Sequence, residues 1–221
     1  MKTVVFAASK GGVGKTTLAF NVGIEAAKTH TVFFADMDPQ KSLAAFHEIR
    51  GGDNPMQLTG IQSIRRAIAD LERAGVGRDI LIVDTPGSFM DIISDAVQAA
   101  DCVVVPMQPS PLDILAQEDA LALVGRLGKT AVTLPALSRV DGRAGITDIT
   151  ARIMAMFATE HATIKNRVAY SRSLIKGKAA GEIDSACAIE IADLWQKIQN
   201  TMKVKNEQIG YIEPTAPAIA R

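Results

Sequence analysis

The chain has 221 residues, 48% of them hydrophobic, and its 24 Lys and Arg balance 24 Asp and Glu. That length suits one sizeable core and is short for two independent domains, while zero net charge excludes nucleic-acid binding by bulk charge and leaves only a local patch to do it. No apolar run approaches the ~20 residues that a bilayer requires, and the N-terminus enters a strand-like segment without a signal-peptide layout, so a cytoplasmic protein with no membrane partner is expected.

Residues 3–8 form a short β-branched apolar run, followed by Gly-Gly and an amphipathic stretch over 15–28, which reads as strand, loop and helix. Further apolar segments at 31–35, 80–83, 102–106 and 131–134 predict strands, and the spacing predicts helices over 61–74, 91–99, 113–127 and 146–159. A weaker strand is expected over 161–167, a closing helix over 184–202, and a tail without an amphipathic face over 213–221. Continuous apolar strands alternating with helices imply an α/β fold: a doubly wound, mostly parallel sheet with helices on both faces. The expected organisation is a single domain over 1–205 and a loosely ordered C-terminal tail over 206–221. Cys102 and Cys187 lack CxxC or Cys/His spacing and read as small buried hydrophobes.

The loop after the first strand carries the strongest chemistry. Ser9 to Thr16 follows the phosphate-loop pattern GxxxxGK[ST] with one departure, Ser9 in place of the first glycine. Gly11, Gly12 and Gly14 let the backbone turn tightly and aim N–H groups at phosphate oxygens, with Val13 and Thr17 completing the cradle. Lys15 reaches the β- and γ-phosphates, and Thr16 offers its hydroxyl to Mg²⁺. ATP and Mg²⁺ are the expected cofactors, and the fold is that of a P-loop NTPase.

Lys10-Gly11-Gly12-Val13-Gly14-Lys15-Thr16-Thr17 resembles the deviant Walker A loop of the ParA/MinD ATPases, whose mark is the additional lysine. The resemblance implies that Lys10 acts in trans, reaching the phosphates of a partner in an ATP-bound homodimer. A cation supplied by a second subunit stabilises charge in phosphoryl transfer as an arginine finger does.

Two acidic elements follow. Ala35-Asp36-Met37-Asp38-Pro39-Gln40 puts two carboxylates at the C-terminal edge of a strand, where parallel sheets place their ligands. It is similar to the family's DxDPQ switch, which implies that Asp38 orients the hydrolytic water and that Asp36 has a Mg²⁺ or loop-holding role. Ile80-Leu81-Ile82-Val83-Asp84 is an apolar strand ending in a Walker B-like carboxylate, and Asp84 is the metal candidate. Thr85-Pro86-Gly87 resembles switch II, with Pro86 beside the nucleotide. The proline-dense loop over 105–113 is stiff, and Asp113 reads as either a first-turn residue of the next helix or a nucleotide-linked one.

The resemblance runs from residue 1 to about 199 and is closest to short plasmid-partition ParA proteins without an N-terminal DNA-binding extension. Lys165, Arg167, Arg172, Lys176 and Lys178, with Arg139 and Arg143 as candidates to adjoin them, form a basic cluster that is either a solvated surface or the nonspecific DNA-binding face that the family implies. The adenine is expected near Ser138 and Tyr170. The implied function is ATP-dependent dimerisation and nucleoid DNA binding, with hydrolysis triggered by a centromere-binding or cargo-adaptor protein. Rivals are positioning of a non-DNA cargo or regulation of division within the same family, and a P-loop small-molecule kinase or ligase, against which Lys10 and DxDPQ argue.

Overall fold

A computed structural model describes residues 1–76, 79–141 and 160–207. At its centre is β1 (Lys2–Phe6), apolar on both faces: Val4 and Phe6 enter one core layer, and Val5, with Ala7 just beyond, enters the other. Around it a seven-stranded sheet adds β2 (Val32–Asp36), β3 (Met56–Leu58), β4 (Ile80–Asp84), β5 (Cys102–Met107), β6 (Thr133–Val140) and β7 (Ala162–Lys165). The order is β3-β2-β4-β1-β5-β6-β7, and every pairing is parallel.

Because β1, β2, β4 and β5 are buried on both faces, helices must cover both. One layer holds α1 (Lys15–Ala26), α2 (Ser42–Arg50), α7 (Val168–Leu174) and α8 (Ser185–Glu207). The other holds α3 (Ile64–Arg73), α4 (Met90–Ala99) and α6 (Glu118–Arg126), while the short α5 (Pro111–Leu115) leads into α6. This is the doubly wound α/β fold of a P-loop NTPase. The chain winds to one side of β1, returns, and continues on the other, so the loops at the C-terminal ends of β1, β2 and β4 gather at the place where such sheets bind ligands.

Five elements differ from expectation. The helix α2 and the strand β3 were not anticipated. β3 is a three-residue edge strand too short for a periodic signal, and α2 fully buries only Leu43. The helix expected over 113–127 is broken into α5 and α6 because the Ala116 carbonyl accepts the Ser9 hydroxyl at 2.6 Å, and the fully buried Gln117 side chain accepts the Ser9 N–H at 3.1 Å. The strand expected at 131–134 begins at Thr133 after a 3₁₀ turn and runs to Val140; Pro135 and the polar pair Ser138-Arg139 hid its second half. Finally, α8 continues to Glu207, past the expected domain limit of 205. The helix expected over 146–159, the tail from 208 onward and Arg143 lie outside the described residues.

Both cysteines are free and buried. No helix among the described residues is long and apolar enough to cross a membrane.

Candidate functional site

The loop between β1 and α1 turns through left-handed glycines, Gly12 at φ 76° and Gly14 at φ 98°. Gly14 is the N-cap of α1, and the first intrahelical bond runs from the Leu18 N–H to the Gly14 carbonyl at 2.9 Å. The amides of Lys15, Thr16 and Thr17 therefore precede the helix ladder, and the first turn has no acidic side chain. Together with the helix dipole, this makes a cradle for anions. Val13 is fully buried, and its carbonyl accepts the Ser138 hydroxyl at 2.8 Å, which pins the loop to the end of β6.

Lys15 is 6% exposed, and its ammonium donates to the Lys10 carbonyl at 3.2 Å. Burial pulls its pKa down, while Asp84 and Asp38 push it back up. Lys10 takes a different course. Its ammonium leaves the cleft and pairs with the Asp113 carboxylate on α5. Asp113 is a first-turn residue: Ser110 donates its hydroxyl to Asp113 at 2.5 Å and accepts the Asp113 N–H at 3.1 Å. Of its two expected roles, hydrogen bonding accounts for the first-turn one.

At the end of β4, Asp84 is fully buried. The Thr16 hydroxyl donates to its Oδ2 at 2.6 Å, and its Oδ1 is a buried atom with no partner. Burial, ahead of all other causes, pushes this carboxyl up to about 7. A buried carboxylate oxygen without a donor, next to a threonine hydroxyl and the phosphate loop, fits a divalent cation. Among the described residues no group of three or more His, Cys, Asp or Glu could hold a metal, so an ion here would need phosphate oxygens as further ligands.

Asp36 accepts the Asp38 N–H on Oδ1 and the Ala44 N–H on Oδ2, both at 3.0 Å, so its hydrogen bonds account for the loop-holding role of the two expected for it. Asp38 lies on the cleft wall, where its carboxylate also accepts the Gln40 N–H at 2.9 Å.

These residues line a polar cleft of about 570 Å³: Gly11, Gly12, Gly14, Lys15, Thr16 and Thr17 on one side, Asp38 to Gln40 on another, and Pro86 to Phe89 on a third. At Gly87 a Cβ would stand 3.1 Å from the Gly11 nitrogen, so the switch-like loop packs directly on the phosphate loop. A second, more apolar cleft of about 470 Å³ adjoins it, lined by Leu18, Phe46, Ser138, Ile164, Tyr170 and Leu174 among others. Ser138 and Tyr170, expected near the adenine, both lie there.

The members of the basic cluster differ in their surroundings. Lys165, Arg172, Lys176 and Lys178 are exposed, but Arg167 is bonded through Nε to Glu190 at 2.9 Å, and Glu190 also accepts the Tyr170 hydroxyl at 2.9 Å. Sequence reasoning missed Glu190, Gln117 and Phe46. Each acts through a tertiary contact that no local motif announces.

The chain matches the family described as the CobQ/CobB/MinD/ParA nucleotide binding domain over residues 4–182. A protein named ParA from Rhizobium radiobacter is 33% identical over 127 residues, covering 56% of this chain and 56% of that relative, so the match spans little more than half of the relative's length. The maintenance of carboxysome distribution protein A of Halothiobacillus neapolitanus is 25% identical, with 79% of this chain and 84% of that protein covered. Among solved structures, a chain of the MinC:MinD cell division protein complex of Aquifex aeolicus superposes with a TM-score of 0.71 at 17% identity, covering 96% of this chain and 99% of that one, a likeness of fold. With its phosphate loop, buried strand-end aspartate and parallel sheet, this chain belongs to the ParA/MinD nucleotide-binding family.

Proposed function

We propose that this chain is a ParA-type partition ATPase, which dimerises on ATP, binds nucleoid DNA nonspecifically and is released when a partner protein stimulates hydrolysis. The observation that carries this reading is the divergence of the two loop lysines: Lys15 stays buried in its own cleft, while Lys10 turns away from it to Asp113. A lysine in the phosphate loop that does not serve its own cleft is available to a second copy.

In this reading the base occupies the apolar cleft, and the phosphates lie on the α1 amides, where Lys15 neutralises them. Asp38 accepts a hydrogen bond from the attacking water and orients it toward the γ-phosphate. Thr16 and Asp84 would hold Mg²⁺, which supplies charge neutralisation of the phosphate oxygens when bound. Pro86 and Gly87 pass the presence of the γ-phosphate to the surrounding loops. The exposed Lys165, Arg172, Lys176 and Lys178 supply the DNA contacts, and doubling them in a dimer raises affinity with strong salt dependence. The protein works in the cytoplasm on the nucleoid.

A second reading, positioning of a protein cargo, is favoured by the likeness to the carboxysome distribution protein. In either case sedimentation of the chain with Mg²⁺-ATP is expected to give a dimer, and Asp38→Ala is expected to keep that dimer while lowering turnover by about 10²-fold or more. A monomer in ATP, or unchanged turnover in the variant, defeats the reading. Salt-sensitive DNA binding that requires ATP separates partition from protein-cargo positioning.

A further inference from the structure

Three non-glycine residues among those described have left-handed backbones: Lys41 at φ 52°, Phe89 at φ 71° and Arg139 at φ 54°. They gather around one cleft. Phe89 and Arg139 line the polar cleft, and Lys41 stands between its lining residues Gln40 and Ser42. The first two have local reasons. Lys41 is the N-cap of α2, with its ammonium bonded to the Asp36 carbonyl at 2.6 Å, and Phe89 is the N-cap of α4. Arg139 caps no helix. It lies within β6, and its side chain makes no hydrogen bond or ion pair among the described residues.

Its position explains the geometry. Between Leu137 and Val140 the register of β6 against β7 shifts, the mark of a bulge. In a regular strand consecutive side chains point to opposite faces, yet Ser138 and Arg139 line the same apolar cleft. The left-handed residue at the bulge redirects Arg139 to the side already taken by Ser138. Glycine adopts this conformation without strain, whereas the Cβ of an L-residue disfavours it. An arginine where glycine would be easier directs attention to its guanidinium.

That side chain stands at a junction. Among the described residues, only Gly14, Thr17 and Arg139 line both clefts. Under the nucleotide reading above, on which this step rests, the base lies in one cleft and the phosphates in the other. The ribose and the phosphate attached to it must then cross the junction. We infer that Arg139 is a nucleotide-binding residue, its guanidinium pairing with the phosphate nearest the sugar across from the Thr17 end of the cradle. A fork of N–H donors suits two phosphate oxygens, which a lysine matches only as a point charge. This moves Arg139 out of the DNA-binding set that its charge alone suggested.

The test compares wild type, Arg139→Gly and Arg139→Lys by calorimetric titration with ADP and ATP, beside thermal unfolding of the ligand-free proteins. Arg139→Gly is expected to melt at or above the wild-type temperature, because strain is relieved, while both nucleotides bind about tenfold more weakly or worse; Arg139→Lys falls between. Wild-type nucleotide affinity in Arg139→Gly overturns the inference, and more directly still if its DNA affinity falls instead. A lower melting temperature for Arg139→Gly assigns the residue a structural role and also overturns it. If wild type binds neither ADP nor ATP, the nucleotide reading of the two clefts fails, and the inference with it.

Discussion

Lys10 donates its ammonium to the Asp113 carboxylate, tying the second residue of the phosphate loop to the first turn of α5 within one chain. The pair is part-exposed, with side chains 45% and 14% accessible, so it contributes no more than about 1 kcal/mol. If Lys10 serves a second copy, this bond must break first. Asp113→Asn, which keeps a capping group beside Ser110, is expected to tighten ATP-dependent self-association by up to about fivefold in sedimentation equilibrium. Unchanged or weaker association means that the pair does not compete with the dimer.

Asp84 carries a buried carboxylate whose Oδ1 lacks a partner. Asp84→Asn removes that unfavourable burial, and the variant in EDTA is expected to be more stable than wild type by about 1–3 kcal/mol in urea unfolding. The stabilisation that Mg²⁺-nucleotide gives wild type is expected to vanish in the variant. Lower stability in EDTA, or an intact Mg²⁺ effect, contradicts the role assigned to this carboxylate.

Glu182 takes both terminal nitrogens of Arg50, at 2.8 and 3.1 Å, and the Ala179 N–H at 2.6 Å, clamping the end of α2 to the turn before α8. The Arg50 guanidinium, more than any other cause, holds the Glu182 pKa below its usual 4.5. A depressed carboxylate contributes stability above its unfolded pKa and loses it as pH falls through the lower folded value. Both side chains are part-exposed, so Glu182→Gln is expected to destabilise by about 0.5–1 kcal/mol at pH 7. The difference from wild type should shrink below pH ~4. A pH-independent difference in denaturant midpoints excludes the ion pair as its source.

Gly23 lies in α1 against the sheet, where a Cβ would come within 2.1 Å of the Phe34 ring. Phe34 is fully buried and stacked on Phe20 with centroids 6.2 Å apart, so it has no free direction to yield. Gly23→Ala gains about 1 kcal/mol of helix propensity but overpacks the core by about 1–3 kcal/mol or more. A net loss in urea unfolding is expected. A more stable variant would mean that this layer repacks readily.

The sheet was legible because its central strands are unbroken apolar runs, and α1 because Gly-Gly and Lys15 announce its start. β3 and α2 were not, since a three-residue edge strand and a helix with one fully buried side chain leave almost no periodic trace. The phosphate loop, Asp38 and Asp84 could be read from local spacing, and the clefts bring the loop and Asp38 together. In sequence, Ser9 is only a departure from the phosphate-loop pattern. Its partners, Ala116 and Gln117, lie more than 100 residues away, and only the fold reveals that the hydroxyl joins the loop to the break between α5 and α6. Arg139 was read by charge alone, because a left-handed arginine has no signature in sequence.

β1 is the sheet's first strand in chain order, yet it pairs only with β4 and β5, whose segments begin at Ile80 and Cys102. During translation at roughly 5–20 residues per second, some 80–100 residues must emerge before β1 has a neighbour, so it waits for several seconds. Throughout that interval Val4, Val5 and Phe6 remain an unpaired apolar strand on the nascent chain, a target for chaperones and for wrong partners. The segment that later bears the phosphate loop is thus the one most exposed to misassembly while the protein is being made.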